Sequence, residues 1–228
     1  MGPFWTDQYR MGTLALSVPV SPVPSIIRLV QTEPKTRRGR ESRERIIECA
    51  AALIGERGVE HVGLDDVLSA AGVGKGQLYH YFADRDALVA AAVARRCAHV
   101  QGALTDLFGG LDTLSELERA LETFVTIYEQ TLAGCPIGRI AADVAGRNER
   151  AQRQVAIAFD NWQSLFADLF TRLHARGDLH PDAEPTALAT ALLAALEGGQ
   201  ILSQTRNDAT PLRIAIDAAL GHIRTFLA

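Results

Sequence analysis

Apolar residues recur at helical spacing along most of the chain. In "ESRERIIECAAALIGERG", Ile46, Ile47, Ala50, Leu53 and Ile54 fall at i, i+1, i+4, i+7 and i+8, one stripe of an amphipathic helix. Ser42 is the expected N-cap of this helix and Gly58 its stop. A short second helix is predicted over 64–71, with Asp65 and Asp66 in the first turn, where the helix dipole favours negative charge. A third runs from about 74 to 81. A fourth, long helix follows Asp84 and ends at Gly109-Gly110. Further helices are expected at about 114–132, 137–145, 149–176, 185–204 and 211–227. Pro185 and Pro211 each stand in a first turn, where the missing N–H costs nothing. No strand and no internal repeat is read. The fold class is therefore all-α, with about nine helices: three short N-terminal ones and an antiparallel bundle after them.

Residues 1–36 break this pattern. "VPVSPVP" favours extended polyproline-like backbone, so a disordered N-terminal extension is expected, with Met11 as an alternative start. The division that follows is 37–84 and 85–228. Charge divides the chain similarly. Residues 35–45 hold six basic side chains against two acidic ones, whereas residues 100–228 hold 10 Arg against 16 Asp or Glu. The overall net charge of −4 hides this asymmetry. Apolar residues make up 47% of the 228, yet no run reaches the ~20 needed to span a membrane, and no signal peptide is read. Cys49, Cys97 and Cys135 are odd in number and lack C-x-x-C spacing, which speaks against a disulfide scaffold or zinc site and fits a reducing, cytoplasmic setting. Neither a metal nor a cofactor is expected.

The densest chemistry lies in "GVGKGQLYHYF", residues 72–82. A Walker loop fails here: Ser69 stands where its first glycine belongs, and Gly76 where its hydroxyl belongs. The dinucleotide fingerprint fails at Gln77. Helix, glycine turn and short second helix match a helix-turn-helix instead. In that reading Gly72 ends helix two, Val73 packs inward and Leu78 anchors helix three. Gly74, Lys75, Gln77, Tyr79 and His80 then face a major groove. Lys75 suits phosphate or guanine, Gln77 can pair with adenine N6 and N7, and Tyr79 and His80 suit phosphate oxygens. The basic run, Arg43 included, adds sequence-independent attraction to the backbone. Phe82 and Tyr81 fit the core.

The stretch "IIECAAALIGERGVEHVGLDDVLSAAGVGKGQLYHYFADRDAL" closely resembles the DNA-binding domain of the tetracycline-repressor (TetR) family, over about residues 40–89. The resemblance implies an all-α homodimer with a three-helix reader and a C-terminal bundle that binds a small effector. By position it implies DNA contacts from Gly74, Lys75, Gln77, Tyr79 and His80, and a phosphate contact from Arg85. Gly63 and Gly74 stand where the family usually has Ser or Thr, and Gln77 where it usually has Thr. The operator sequence is thus this protein's own.

Helix 185–204 is apolar nearly all round and rich in small residues. Such a helix must pack on more than its own domain. Ala187, Ala191, Ala195 and Gly199 permit close approach, Leu188, Leu192 and Leu202 supply bulk, and Ile214 and Ala218 continue the pattern in the last helix. The family places a four-helix dimer interface there; a core helix of a monomer is the alternative. Phe159, Trp162, Phe166 and Phe170 form one stripe at i, i+3, i+7 and i+11, with Phe124 and Tyr128 on the preceding long helix. Most of this is core, but Tyr128, Phe159, Trp162 and Phe166 are candidates for an effector pocket. "GCPIGRIAADVAG" looks like the effector domain of the LmrA/YxaF-like subgroup and adds Cys135 and Arg139. Arg139 could pair with Asp143 one turn on or hold an anionic effector.

The expected function is a ligand-responsive transcriptional regulator. It would be a repressor that binds a palindromic double-stranded DNA operator as a homodimer and is released by a small apolar or aromatic effector. An activator, an architectural DNA binder without effector, and a helical enzyme are the rivals. The last would need a nucleophile or acid–base cluster, and Cys135, His99, His174 and His180 lie scattered on separate helices, so no catalytic residue is assigned.

Overall fold

A computed structural model describes residues 34–228. The expected disordered extension therefore lies almost wholly outside the described residues. Among these there are nine helices: α1 (Arg37–Arg57), α2 (Leu64–Ala71), α3 (Lys75–Tyr81), α4 (Arg85–Phe108), α5 (Leu114–Glu129), α6 (Pro136–Val144), α7 (Glu149–Arg176), α8 (Pro185–Arg206) and α9 (Thr210–Arg224). The one β-bridge joins Leu179 to Leu227 and ties the last residues back to the α7–α8 turn.

Local chemistry explains most boundaries. Asp84, Thr113 and Asn148 cap α4, α5 and α7 by accepting from Ala87, Glu116 and Ala151 backbone N–H groups. Gly58, Gly72 and Gly177 close α1, α2 and α7 with φ of 87°, 63° and 80°. The start of α1 departs from expectation. Its cap is Thr36, whose Oγ1 accepts from Gly39 N–H, so the helix begins six residues earlier than a Ser42 cap would set it. Ser42 lies inside α1 and is buried.

The reader, α1 to α3, closes on a core of Ile46, Ile47, Ala50, Val67, Leu78 and Phe82. α4 packs along α1 and then along α7, so one helix belongs to both the reader and the bundle. The bundle core is aromatic: Phe108 meets Phe166 edge-on at 5.1 Å, and Phe124 lies 6.4 Å from Trp162. α8 packs between α7 and α9. It is apolar and long enough by composition to cross a membrane, but Leu188, Leu192 and Leu196 are buried inside the bundle, as expected of a core helix. Gly199 sets the α8–α9 spacing. A Cβ there would stand 2.8 Å from the Leu212 Cα.

Candidate functional site

The short helix α3 presents most of its side chains to solvent. Leu78 fixes it to the core, while Lys75, Gly76, Gln77, Tyr79 and His80 are exposed, Tyr79 at 53%. Lys75 Nζ lies 3.5 Å from Asp65 Oδ1 with both side chains in solvent, a weak pairing that leaves the ammonium free to exchange partners. The His80 ring rests edge-on against Tyr81 at 5.1 Å. Gly74 has extended backbone, and neither it nor Gly76 has an atom within 4 Å of where a Cβ would stand. Neither glycine is therefore demanded by the protein's own packing.

Gln77 is only partly available. Its Nε2 donates to the buried Ser42 Oγ at 2.7 Å, which leaves its Oε1 and second N–H for other partners. Arg43 and Arg85 point elsewhere than at open solvent beside α3. The Arg43 guanidinium sits 5.3 Å from the Phe82 ring centroid and 3.5 Å from Glu44. Arg85 Nη2 donates to the carbonyls of Val59 and Val62 at 3.4 and 3.2 Å, tying the start of α4 to the α1–α2 loop. Sequence reasoning missed two residues that hold this arrangement. Ser42 orients Gln77, and Arg45 Nε donates to the Ala71 carbonyl at the end of α2. Neither contact has a local sequence signal.

α6 clips the bundle onto the reader. Asp143 Oδ2 accepts from Val59 N–H at 2.9 Å, Arg139 donates to the Gly55 carbonyl, and Arg147 pairs with Glu60. Arg139 and Asp143 thus bond to the end of α1 and the loop after it, not to each other. Arg139 is not among the residues that line the cavity between α4, α5 and α8.

A cavity of about 640 Å³ lies between α4, α5 and α8. Arg96, His99, Val100, Leu104 and Leu107 line it from α4, Phe124, Ile127 and Tyr128 from α5, Gly134 and Pro136 from the entry to α6, and Gln200 from α8. Of the expected effector residues, Tyr128 lines it, and its hydroxyl donates to the Gln200 carbonyl at 2.9 Å. Trp162 and Phe166 are each 1% exposed and belong to the core, and Phe159 is half-buried on α7 away from the cavity. Their stripe faces α4 and α5, and a core stripe has the same helical spacing as a pocket wall. Cys135 lies behind the wall as the N-cap of α6, accepting from Gly138 N–H at 3.3 Å. Burial, and then the neighbouring Glu197 carboxylate, hold its thiol far above the ordinary range, so it is not a poised nucleophile. Burial likewise raises the Glu197 carboxyl, whose Oε1 has no partner. A second groove, of about 590 Å³ between α1, α4 and α7, is polar; Arg95 there is paired with Glu44 and Glu48.

The outer face of α8 and α9 is apolar and small. Ala187, Ala191, Gly198 and Ala218 are exposed beside Ile201, Leu202 and Ile214, the last at 62%. Among the expected interface residues, Leu188, Leu192 and Gly199 correct the sequence reading. They are already buried inside the protomer and offer no surface to a partner. Ala195 is half-buried.

Comparison with known proteins places this geometry. Residues 46–92 match the family described as "Bacterial regulatory proteins, tetR family". Residues 114–218 match "Transcriptional regulator LmrA/YxaF-like, C-terminal domain". The chain is 33% identical over 182 residues to the uncharacterized HTH-type transcriptional regulator Rv0196 of Mycobacterium tuberculosis, covering 75% of this chain and 88% of that protein. It is 26% identical over 176 residues to the HTH-type transcriptional regulator LmrA of Bacillus subtilis, covering 75% and 91%. A crystal structure of a TetR transcriptional regulator from Chloroflexus aurantiacus superposes with a TM-score of 0.68 at 26% identity, covering 85% of this chain and 100% of that one. The matched proteins are regulators and not enzymes. A helix-turn-helix reader joined by one continuous helix to an LmrA/YxaF-like bundle identifies the chain as a TetR-family transcriptional regulator.

Proposed function

We propose that this regulator is a repressor that binds a palindromic operator as a homodimer and leaves it when a small molecule fills the α4–α5–α8 cavity. The observation that carries this reading is α4. Its middle and end wall the cavity, and its first residue follows α3 by one short turn. An occupant that shifts α4 moves the reader, and in a dimer it changes the spacing of two readers that must match half-sites ~34–36 Å apart. The exposed apolar face of α8 and α9, including Ala191, Leu202, Ile214 and Ala218, supplies the surface for the second copy. Lys75, Tyr79 and His80 hold phosphate, and Gln77, steadied by Ser42, reads a base. Such a protein works in the cytoplasm, beside its DNA.

Gel shifts over a range of salt concentrations test the reading. Lys75→Ala should weaken binding to every sequence alike and reduce the salt slope by about 1. Tyr79→Ala should weaken operator binding while leaving the helical content intact. Unchanged operator affinity in both variants would remove α3 as the reader.

A further inference from the structure

We infer that the cavity takes an amphipathic monoanion, an extended apolar body bearing one carboxylate, with its head group held by Arg96 and Gln200. The inference rests on the effector reading above and narrows it to a chemical class.

Arg96 is the unusual residue. It is half-buried on α4, lines the cavity, and makes no ion pair or hydrogen bond among the described residues. Its Nε is buried without a partner. Arg38, Arg119 and Arg206 also lack partners, but they lie in open solvent, where water serves them. The Arg96 guanidinium packs against Gly55 of α1, its Cζ 3.3 Å from where a Cβ would stand, so a larger residue there would displace it. Across the cavity, Gln200 is 3% exposed, and its Nε2 is a second buried donor with no acceptor. A half-buried guanidinium whose Nε has no partner and a buried amide donor line one cavity, and such donors are costly to leave unpaired. A carboxylate satisfies both, since guanidinium and carboxylate match as a fork.

The remaining wall fixes the rest of the ligand. From Arg96 to Leu107 is eleven residues of helix, ~16 Å at 1.5 Å per residue. Between the ends the wall is Val100, Leu104, Leu107 and Phe124. Asp106 lines the far end and disfavours a second negative charge there. The other titratable groups at the head-group end are Tyr128, whose hydroxyl donates to the Gln200 carbonyl, the buried Cys97 thiol, and His99, which faces Glu48 at 3.8 Å. One positive end, an apolar middle and one negative end accept a monoanion in a single orientation.

The test is calorimetric titration of the full chain with octanoate and 2-naphthoate, each beside its uncharged counterpart, 1-octanol and 2-naphthol. Each acid should bind at least about tenfold more tightly than its alcohol. Arg96→Gln should erase that preference while leaving the alcohol affinity within about twofold, and Arg96→Lys should keep part of it. Gln200→Met, which retains Arg96, should weaken the acids more than the alcohols and guards against misfolding of the first variant. Equal binding of acid and alcohol, or a preference that survives Arg96→Gln, overturns the inference. Release of operator DNA by an uncharged molecule alone overturns the ligand class but leaves the repressor reading standing. Acid binding that spares operator affinity upholds the class and removes the repressor reading.

Discussion

Asp143 offers the sharpest test of how the bundle is joined to the reader. Its carboxylate accepts from the N–H of Val59, a residue 6% exposed, immediately after Gly58 with its φ of 87°. Asp143→Ala removes the acceptor and leaves a buried donor unpaired, a loss of about 1–3 kcal/mol. For a chain of this size each kcal/mol lowers Tm by roughly 2–4 °C, so a central loss of ~2 kcal/mol lowers it by about 4–8 °C. Asp143→Asn keeps a neutral acceptor and should lose about half as much. Arg139→Ala, whose contact with the Gly55 carbonyl is exposed, should lose less than ~1 kcal/mol. The assay is thermal denaturation by circular dichroism at one fixed protein concentration, because assembly shifts Tm by mass action. A Tm for Asp143→Ala within about 1 °C of wild type would refute the reasoning. So would an Asn variant as damaged as the Ala variant.

Two other outcomes follow from the bundle. Burial raises the Glu197 carboxyl in the folded chain, so folding takes up a proton between its ordinary and its raised value. Wild-type stability therefore falls as pH rises through that window. Glu197→Gln should be the more stable protein at pH 8, by about 1–2 kcal/mol, and the gap should close as pH falls to the ordinary glutamate range; a gap constant with pH in denaturant titrations contradicts this. Ile214→Glu places a charge on the most exposed large apolar residue of α9. Sedimentation should show a monomer with unchanged helicity and weakened operator binding, and a persistent dimer would move the interface elsewhere.

Elements governed by local chemistry were legible in the sequence. α7 runs over Glu149–Arg176, the span expected from the sequence. The reader was legible too, because Gly72, Leu78 and Phe82 carry its turn and core within a few residues. Features built from distant partners were not. Ser42 has the chemistry of a cap, but its hydroxyl serves Gln77, 35 residues away. The all-apolar pattern of α8 does not say which leucines pack inside the protomer, so Leu188 and Leu192 read the same as Leu202. That Tyr128 lines the cavity while Phe159, Trp162 and Phe166 do not was hidden for a related reason. Aromatic spacing cannot separate the buried Trp162 from the cavity-lining Phe124, and nothing near Arg96 in sequence announces that its charge goes unpaired.

The bond between Gln77 and Ser42 carries a lesson for anyone who would re-target this regulator. If Gln77 reads a base as proposed, the orientation of that side chain is set by a residue on a different helix, outside α3. Grafting α3 alone onto a relative's scaffold would carry over the letters of the recognition code without the grammar that orders them. Position 42 has to travel with position 77, and a library that varies one while holding the other fixed explores only the rotamers that α1 allows.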